Sequence, residues 1–233
     1  MPDTISDLLP GRAPDAEFPL HGVTLLLVED SRFASEAIRL ICLRSGARLR
    51  RADCLRAAER HLQCYRPTVA LVDLGLPDGS GLDLVAALAR QTPRLPAIVA
   101  MSGDASAGAA SLAAGADRFL AKPVESLSAF RDMLLTLLPD LPRARSAIPR
   151  PDGPAPDRAA LRDDLARAAA LLAPDAQGDL AYVAHFLSGL AVSARDSDLG
   201  SAAAALLADR QSGAPVSRVS GLLRDRLAAN AVF

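Results

Sequence analysis

The chain has 233 residues, half of them hydrophobic, a formal net charge of -1, and only 3% aromatic residues with no tryptophan. Such a composition fills a core with alanine, leucine and valine, and it leaves no basic footprint of the kind nucleic-acid binding needs. Cys42, Cys54 and Cys64 match neither CxxC nor zinc-ligand spacing, so they read as thiols of a reducing cytosol.

Pro2, Pro10, Pro14 and Pro19 make residues 1–21 an expected flexible arm, without the charged start and apolar run of a signal peptide. No later run approaches membrane-span length, so a cytoplasmic chain with no membrane partner is expected. "VTLLLV" (23–28) is a continuous apolar run, as a parallel strand buried on both faces requires. Ser31 can then cap a helix whose apolar positions Ala34, Ala37, Ile38 and Ile41 keep helical spacing, with Gly46 to end it.

The alternation continues with strands at 47–52, 69–73, 97–101 and 118–121, and with helices at 54–64, 81–90, 105–114 and 126–138. Five strand-helix units predict an α/β fold, a doubly wound five-stranded parallel sheet, over 22–138. Six prolines between 139 and 156 predict a linker. Residues 157–233 show only helical patterning, roughly 157–173, 178–195, 198–211 and 215–230, which predicts an all-α bundle.

The strand ends carry the chemistry. Glu29 and Asp30 follow the first strand, Asp73 ends the third, Ser102 lies at the end of the fourth and Lys122 at the end of the fifth. A parallel sheet gathers all five at one edge. Carboxylates about 4 Å apart repel by roughly 4 kcal/mol per pair at an effective dielectric near 20, so a cation must offset them. A hard divalent ion with oxygen ligands, Mg²⁺ above all, suits the set. Lys122 is the only lysine in a chain that otherwise uses arginine, which points to a narrow site for a single-point donor.

The motifs "VED", "LVDLGLPDGSG" with Pro77 and Gly81 spaced from Asp73, "AMSGD" and "FLAKP" resemble the receiver domain of bacterial response regulators, a flavodoxin-like fold, over 22–138. The resemblance implies that Asp73 is the phosphoacceptor. It implies that Asp30, Asp73 and the Gly75 carbonyl hold Mg²⁺ with Glu29 acting through water, that Ser102 and Lys122 bind phosphoryl oxygens, and that Ser102 and Phe119 form the switch. Such a chain is a phosphoacceptor that assists its own phosphorylation and dephosphorylation, not an enzyme for a separate substrate. Its donor is a sensor histidine kinase or a phosphotransfer protein. Asp104 reads either as a residue near the attack path or as a helix cap, and His61 as a surface histidine.

In the second half, "VAHFLSGLAV" puts Val183, Phe186, Leu187 and Leu190 on one apolar stripe, with His185, Ser188 and Gly189 on the other side. Gly189 removes a side chain that would obstruct a docking partner. The stretch resembles the histidine phosphotransfer (Hpt) pattern H-x-L-K-G, with Ser188 where that family has lysine. His185 would then be a phosphohistidine at which a receiver docks. Three functions follow: a phosphorelay through Asp73 and His185, a phosphorylation-switched adaptor whose bundle binds or dimerises without carrying phosphate, and a DNA-binding regulator. The last is disfavoured by the near balance of arginine and aspartate in 157–233.

Overall fold

The computed structural model describes residues 18–124, 126–139, 141, 158–173, 179–208 and 213–229. Apart from residues 139 and 141, the expected linker, 139–156, lies outside the described residues, as does the expected arm up to residue 17. In chain order the first half runs β1 (Thr24–Val28), α1 (Arg32–Ser45), β2 (Arg48–Ala52), α2 (Leu55–Cys64), β3 (Val69–Asp73), a small ribbon of β4 (Gly75–Leu76) and β5 (Gly79–Ser80), α3 (Gly81–Ala89), β6 (Ala97–Ser102), α4 (Gly108–Ala113), β7 (Arg118–Ala121) and α5 (Leu127–Leu137).

The large sheet has the order β2-β1-β3-β6-β7, all parallel. Apart from their end residues, its central strands are apolar because alternate residues feed two separate cores. Leu25, Leu27, Leu71 and Val99 pack with Ile38, Ile41 and Phe130 of α1 and α5. Leu26, Val28, Val72 and Ile98 pack with Ala58, Val85 and Leu88 of α2 and α3. The edge strand β2 buries only its last residue fully, so Arg48 and Arg50 are tolerated there.

Three expectations are corrected. The arm does not extend to 21: Leu20 is buried in the first core and its N–H bonds the Ser45 carbonyl. Phe18 packs on Gly46, which ends α1 at φ 80, where an added Cβ would come 2.7 Å from the Phe18 Cβ. The helix expected at 105–114 begins as a 3₁₀ turn over Ala105–Ala107, capped by Asp104, whose carboxylate accepts from Ser106 N. His61 is half-buried, not free on the surface, with a ring nitrogen 3.2 Å from the Arg51 carbonyl and its ring edge-on to Tyr65.

The second half forms α6 (Arg158–Leu171), α7 (Leu180–Ala194), α8 (Ser197–Ala208) and α9 (Gly213–Ala229). Contacts between α6 and α7, α7 and α8, α8 and α9, and α6 and α9 close the four into a ring. Leu165, Val183, Phe186, Leu187, Leu190, Leu199, Leu206 and Leu223 fill its centre. One member of that core comes from elsewhere: Phe33 of α1 is buried among the bundle's side chains. Helices α6 and α7 therefore pack on α1, and α7 reaches the β4 ribbon.

Candidate functional site

At the carboxyl edge of the sheet, Glu29, Asp30 and Asp73 are all buried, and a ligand oxygen from each lies within 4.8 Å of the other two. The backbone is fastened first. Glu29 N bonds the Ala52 carbonyl, Leu74 N the Met101 carbonyl, and Lys122 N the Ser102 carbonyl at 2.8 Å, so adjacent strand ends are stitched together. Arg51 donates to the carbonyls of Glu29 at 3.1 Å and Asp30 at 2.9 Å. Asp78 accepts from Leu55 N and Arg56 N at the start of α2, tying down the loop that carries Gly75.

Lys122 Nζ sits 2.7 Å from Glu29 Oε2 and 3.0 Å from Asp73 Oδ1. Glu29 Oε1 accepts from Ser31 N, whereas Oε2 has only the ion pair with Lys122 and lacks a well-directed hydrogen bond. Burial raises the Glu29 carboxyl to about 7, against the pull of Lys122. Burial likewise raises Asp30 to about 6, with the Glu29 charge adding to it. Asp73 is also raised by burial, and Lys122 opposes the shift. Burial alone would lower Lys122, but Asp73 and Glu29 outweigh it and hold the ammonium above the ordinary lysine value. One ammonium among three buried carboxyls leaves them short of positive charge. The all-oxygen donor set and the under-bonded Glu29 Oε2 fit a hard divalent cation.

These groups line a cavity of about 190 Å³ together with Gly75, Ser102, Gly103 and Asp104. It is smaller than the roughly 300–1,000 Å³ of small-molecule sites, yet roomy enough for a phosphoryl group with water. Ser102 Oγ accepts from Asp104 N at 3.1 Å. Phe119 is half-buried and packs against Gly108, facing the α3 core and not the carboxylates.

The remaining wall of the cavity belongs to α7. His185, Ser188 and Gly189 all line it. A Cβ placed on Gly75 would lie 3.7 Å from the His185 Cβ and 4.0 Å from Asp73 Oδ2, so His185 and Asp73 flank the same residue. Gly189 meets Gly103 backbone to backbone: a Cβ on Gly103 would come 3.3 Å from the Gly189 Cα. His185 remains exposed at the cavity mouth, and Gly189 faces Gly103 of the first half of the same chain.

Three contacts at this face were not foreseen. Asp164 of α6, 1% exposed, accepts from Ser31 Oγ at 2.8 Å, Arg32 N at 3.1 Å and Phe33 N at 3.0 Å, so a carboxylate from the bundle caps α1 beside the Ser31 hydroxyl. Tyr182 Oη donates to Asp30 Oδ2. Arg167 donates to Tyr182 Oη at 2.9 Å and to the Asp30 carbonyl at 3.0 Å. A signal existed for Asp164. It lies at i+3 from Leu161 and i-4 from Ala168, a charge on the apolar stripe of its helix.

Residues 25–134 match the family model of the response regulator receiver domain. The KDP operon transcriptional regulatory protein KdpE of Escherichia coli is 34% identical over 100 residues, 42% of this chain and 44% of that protein. Response regulator protein PilR of Pseudomonas aeruginosa is 33% identical over 114 residues, 48% of this chain and 25% of that one. The chain thus spans less than half the length of these curated relatives. A putative response regulator of Chloroflexus aurantiacus, solved by crystallography, is 28% identical, covers 50% of this chain and 98% of its own, and superposes with a TM-score of 0.47. No helix among the described residues is long and apolar enough to cross a membrane.

Proposed function

We propose that this chain, whose residues 25–134 form a response regulator receiver domain of two-component signalling, takes a phosphoryl group onto Asp73 and exchanges it with His185 on its own helical bundle. The observation that carries this reading is that Asp73 and His185 line one small cavity on either side of Gly75. A sensor histidine kinase or a phosphotransfer protein is the donor.

In the first step an Asp73 oxygen bonds to phosphorus while the donor's P–N or P–O bond breaks, and the donor keeps the electron pair. Lys122, already on Asp73 Oδ1, and Ser102 at the cavity edge receive phosphoryl oxygens, since such transfer is mostly positioning and charge neutralisation. In this first step Mg²⁺ held by Asp30, Asp73 and the Gly75 carbonyl, with Glu29 acting through water, would neutralise charge on those oxygens. In the exchange step the lone pair of a His185 imidazole nitrogen attacks phosphorus, the P–O bond to Asp73 breaks, and the carboxylate recovers its charge beside Lys122. The chain assists these steps on itself and turns over no separate substrate. Phe119 and Ser102 then carry the state of Asp73 to the α4 side.

A second reading, the adaptor, draws on Asp164, Arg167 and Tyr182, which hold the bundle to the receiver without any phosphate. The two part on one experiment. The full chain is incubated with acetyl phosphate and Mg²⁺, and alkali-labile acyl phosphate is separated from acid-labile phosphohistidine. The relay expects both species in the wild type, neither in Asp73→Asn, and acyl phosphate alone in His185→Gln. Label retained in Asp73→Asn removes the phosphoacceptor assignment. Acyl phosphate without phosphohistidine in the wild type gives the function to the adaptor.

A further inference from the structure

Asp30 is 2% exposed, and what reaches it from the bundle has the character of a ligand shell. Tyr182 Oη donates to Oδ2, the Arg167 guanidinium lies 3.7 Å from the same oxygen, and its other nitrogen donates to the Asp30 carbonyl at 3.0 Å. The guanidinium is further fixed by its stacking over Phe186, 5.3 Å from the ring centroid, so its position depends on the bundle's own core. Arg167 and Lys122 together supply two positive charges against the three carboxylates of Glu29, Asp30 and Asp73.

A divalent cation at Asp30 would need the oxygen that Tyr182 now holds, and it would have to sit beside the Arg167 charge. We infer that the docked bundle and the divalent cation compete for Asp30: Arg167 and Tyr182 are an internal, reversible substitute for the ion, so that cation loading loosens the bundle from the receiver and docking weakens the cation. This rests on reading Glu29, Asp30 and Asp73 as the cation site. Linkage makes the effect reciprocal, because whatever factor docking takes from cation affinity the cation must take from docking. Asp164 is the second anchor of the docked state, and it holds α1 through backbone groups and Ser31 without touching the Asp30 carboxylate.

The test uses the full chain and Mg²⁺ alone. Calorimetric titration gives Mg²⁺ affinity for the wild type, Tyr182→Phe and Asp164→Ala. Hydrogen exchange reports docking through the Arg32 and Phe33 amides that Asp164 accepts. Both variants are expected to bind Mg²⁺ about tenfold tighter, which corresponds to about 1.4 kcal/mol, and saturating Mg²⁺ is expected to speed exchange at the two amides in the wild type. Equal affinities with exchange indifferent to Mg²⁺ overturn the competition while leaving the cation site standing. Tightening in Tyr182→Phe alone, with Asp164→Ala folded and unchanged, overturns it too, since the effect is then local to Asp30. Mg²⁺ binding to none of the three removes the cation site itself, and the competition with it. Should Asp164→Ala fail to fold, Tyr182→Phe, which keeps its ring beside Phe186, and the exchange measurement decide together.

Discussion

Lys122 Nζ bridges oxygens of Glu29 and Asp73, and the Gly189 backbone closes over it, a Cβ there coming 3.8 Å from the nitrogen. A slim single-point donor fits that gap, and a planar guanidinium would have to displace α7. Replacing Lys122 by Met leaves buried carboxylates without their partner, a situation that typically removes about 3–5 kcal/mol of stability. Urea unfolding of metal-free Lys122→Met at pH 8 is expected to show a loss of that size. The loss should shrink at pH 5, where the raised Glu29 carboxyl takes up a proton and no longer needs the ammonium. Unchanged midpoints at pH 8 would mean that the lysine is replaceable. Glu29, Asp30, Asp73, Ser102 and Lys122 were legible because each sits at a strand end, and a parallel sheet brings strand ends together whatever their distance in sequence. Tyr182 and Arg167 were not legible, since their partners are fixed by how two halves dock, and no local periodicity encodes that.

Among the elements, the passage from β3 through the β4–β5 ribbon into α3 has the least tolerance. Gly81 opens α3, and a Cβ on it would fall 2.0 Å from the Asp73 carbonyl oxygen and 2.8 Å from the Leu74 Cα, both backbone atoms that cannot yield. Gly81→Ala is expected to cost about 3 kcal/mol, at the upper end of overpacking, and to slow acetyl phosphate labelling by moving Asp73. Full stability together with full labelling in that variant would contradict the geometry. The spacing of Gly81 from Asp73 was visible in the sequence, whereas its reason, the close approach of two backbones, needed the fold. The four C-terminal helices were legible from their stripes. The side of α7 opposite its stripe reads as a docking face in the sequence, and it lines the receiver's own cavity because Gly189 and Gly103 let the backbones meet.

At the scale of the whole molecule, the buried acids couple folding to pH. Glu29 rises from 4.5 to about 7 and Asp30 from 3.8 to about 6, in both cases first through burial. Between about pH 4 and pH 7 the folded chain therefore binds more protons than the unfolded one, and stability must fall as pH rises through that window. Calorimetric melting in chelator is expected to show Tm declining from pH 4.5 to pH 7 through these groups, and Mg²⁺ should flatten the decline by supplying the missing charge. A metal-free Tm that climbs steadily over the same interval would count against three buried carboxyls held by Lys122 and Arg167 alone. The position of Phe33 bears on how such a chain can be taken apart or recombined. Its backbone belongs to the receiver's first helix and its ring to the bundle's interior, 5% exposed. Cutting the chain between the halves would leave a ring-sized void in the bundle, comparable to the roughly 3–5 kcal/mol lost when a core phenylalanine is truncated. The halves are thus poor interchangeable cassettes: a foreign receiver grafted onto these helices would have to bring its own aromatic plug at the start of its first helix.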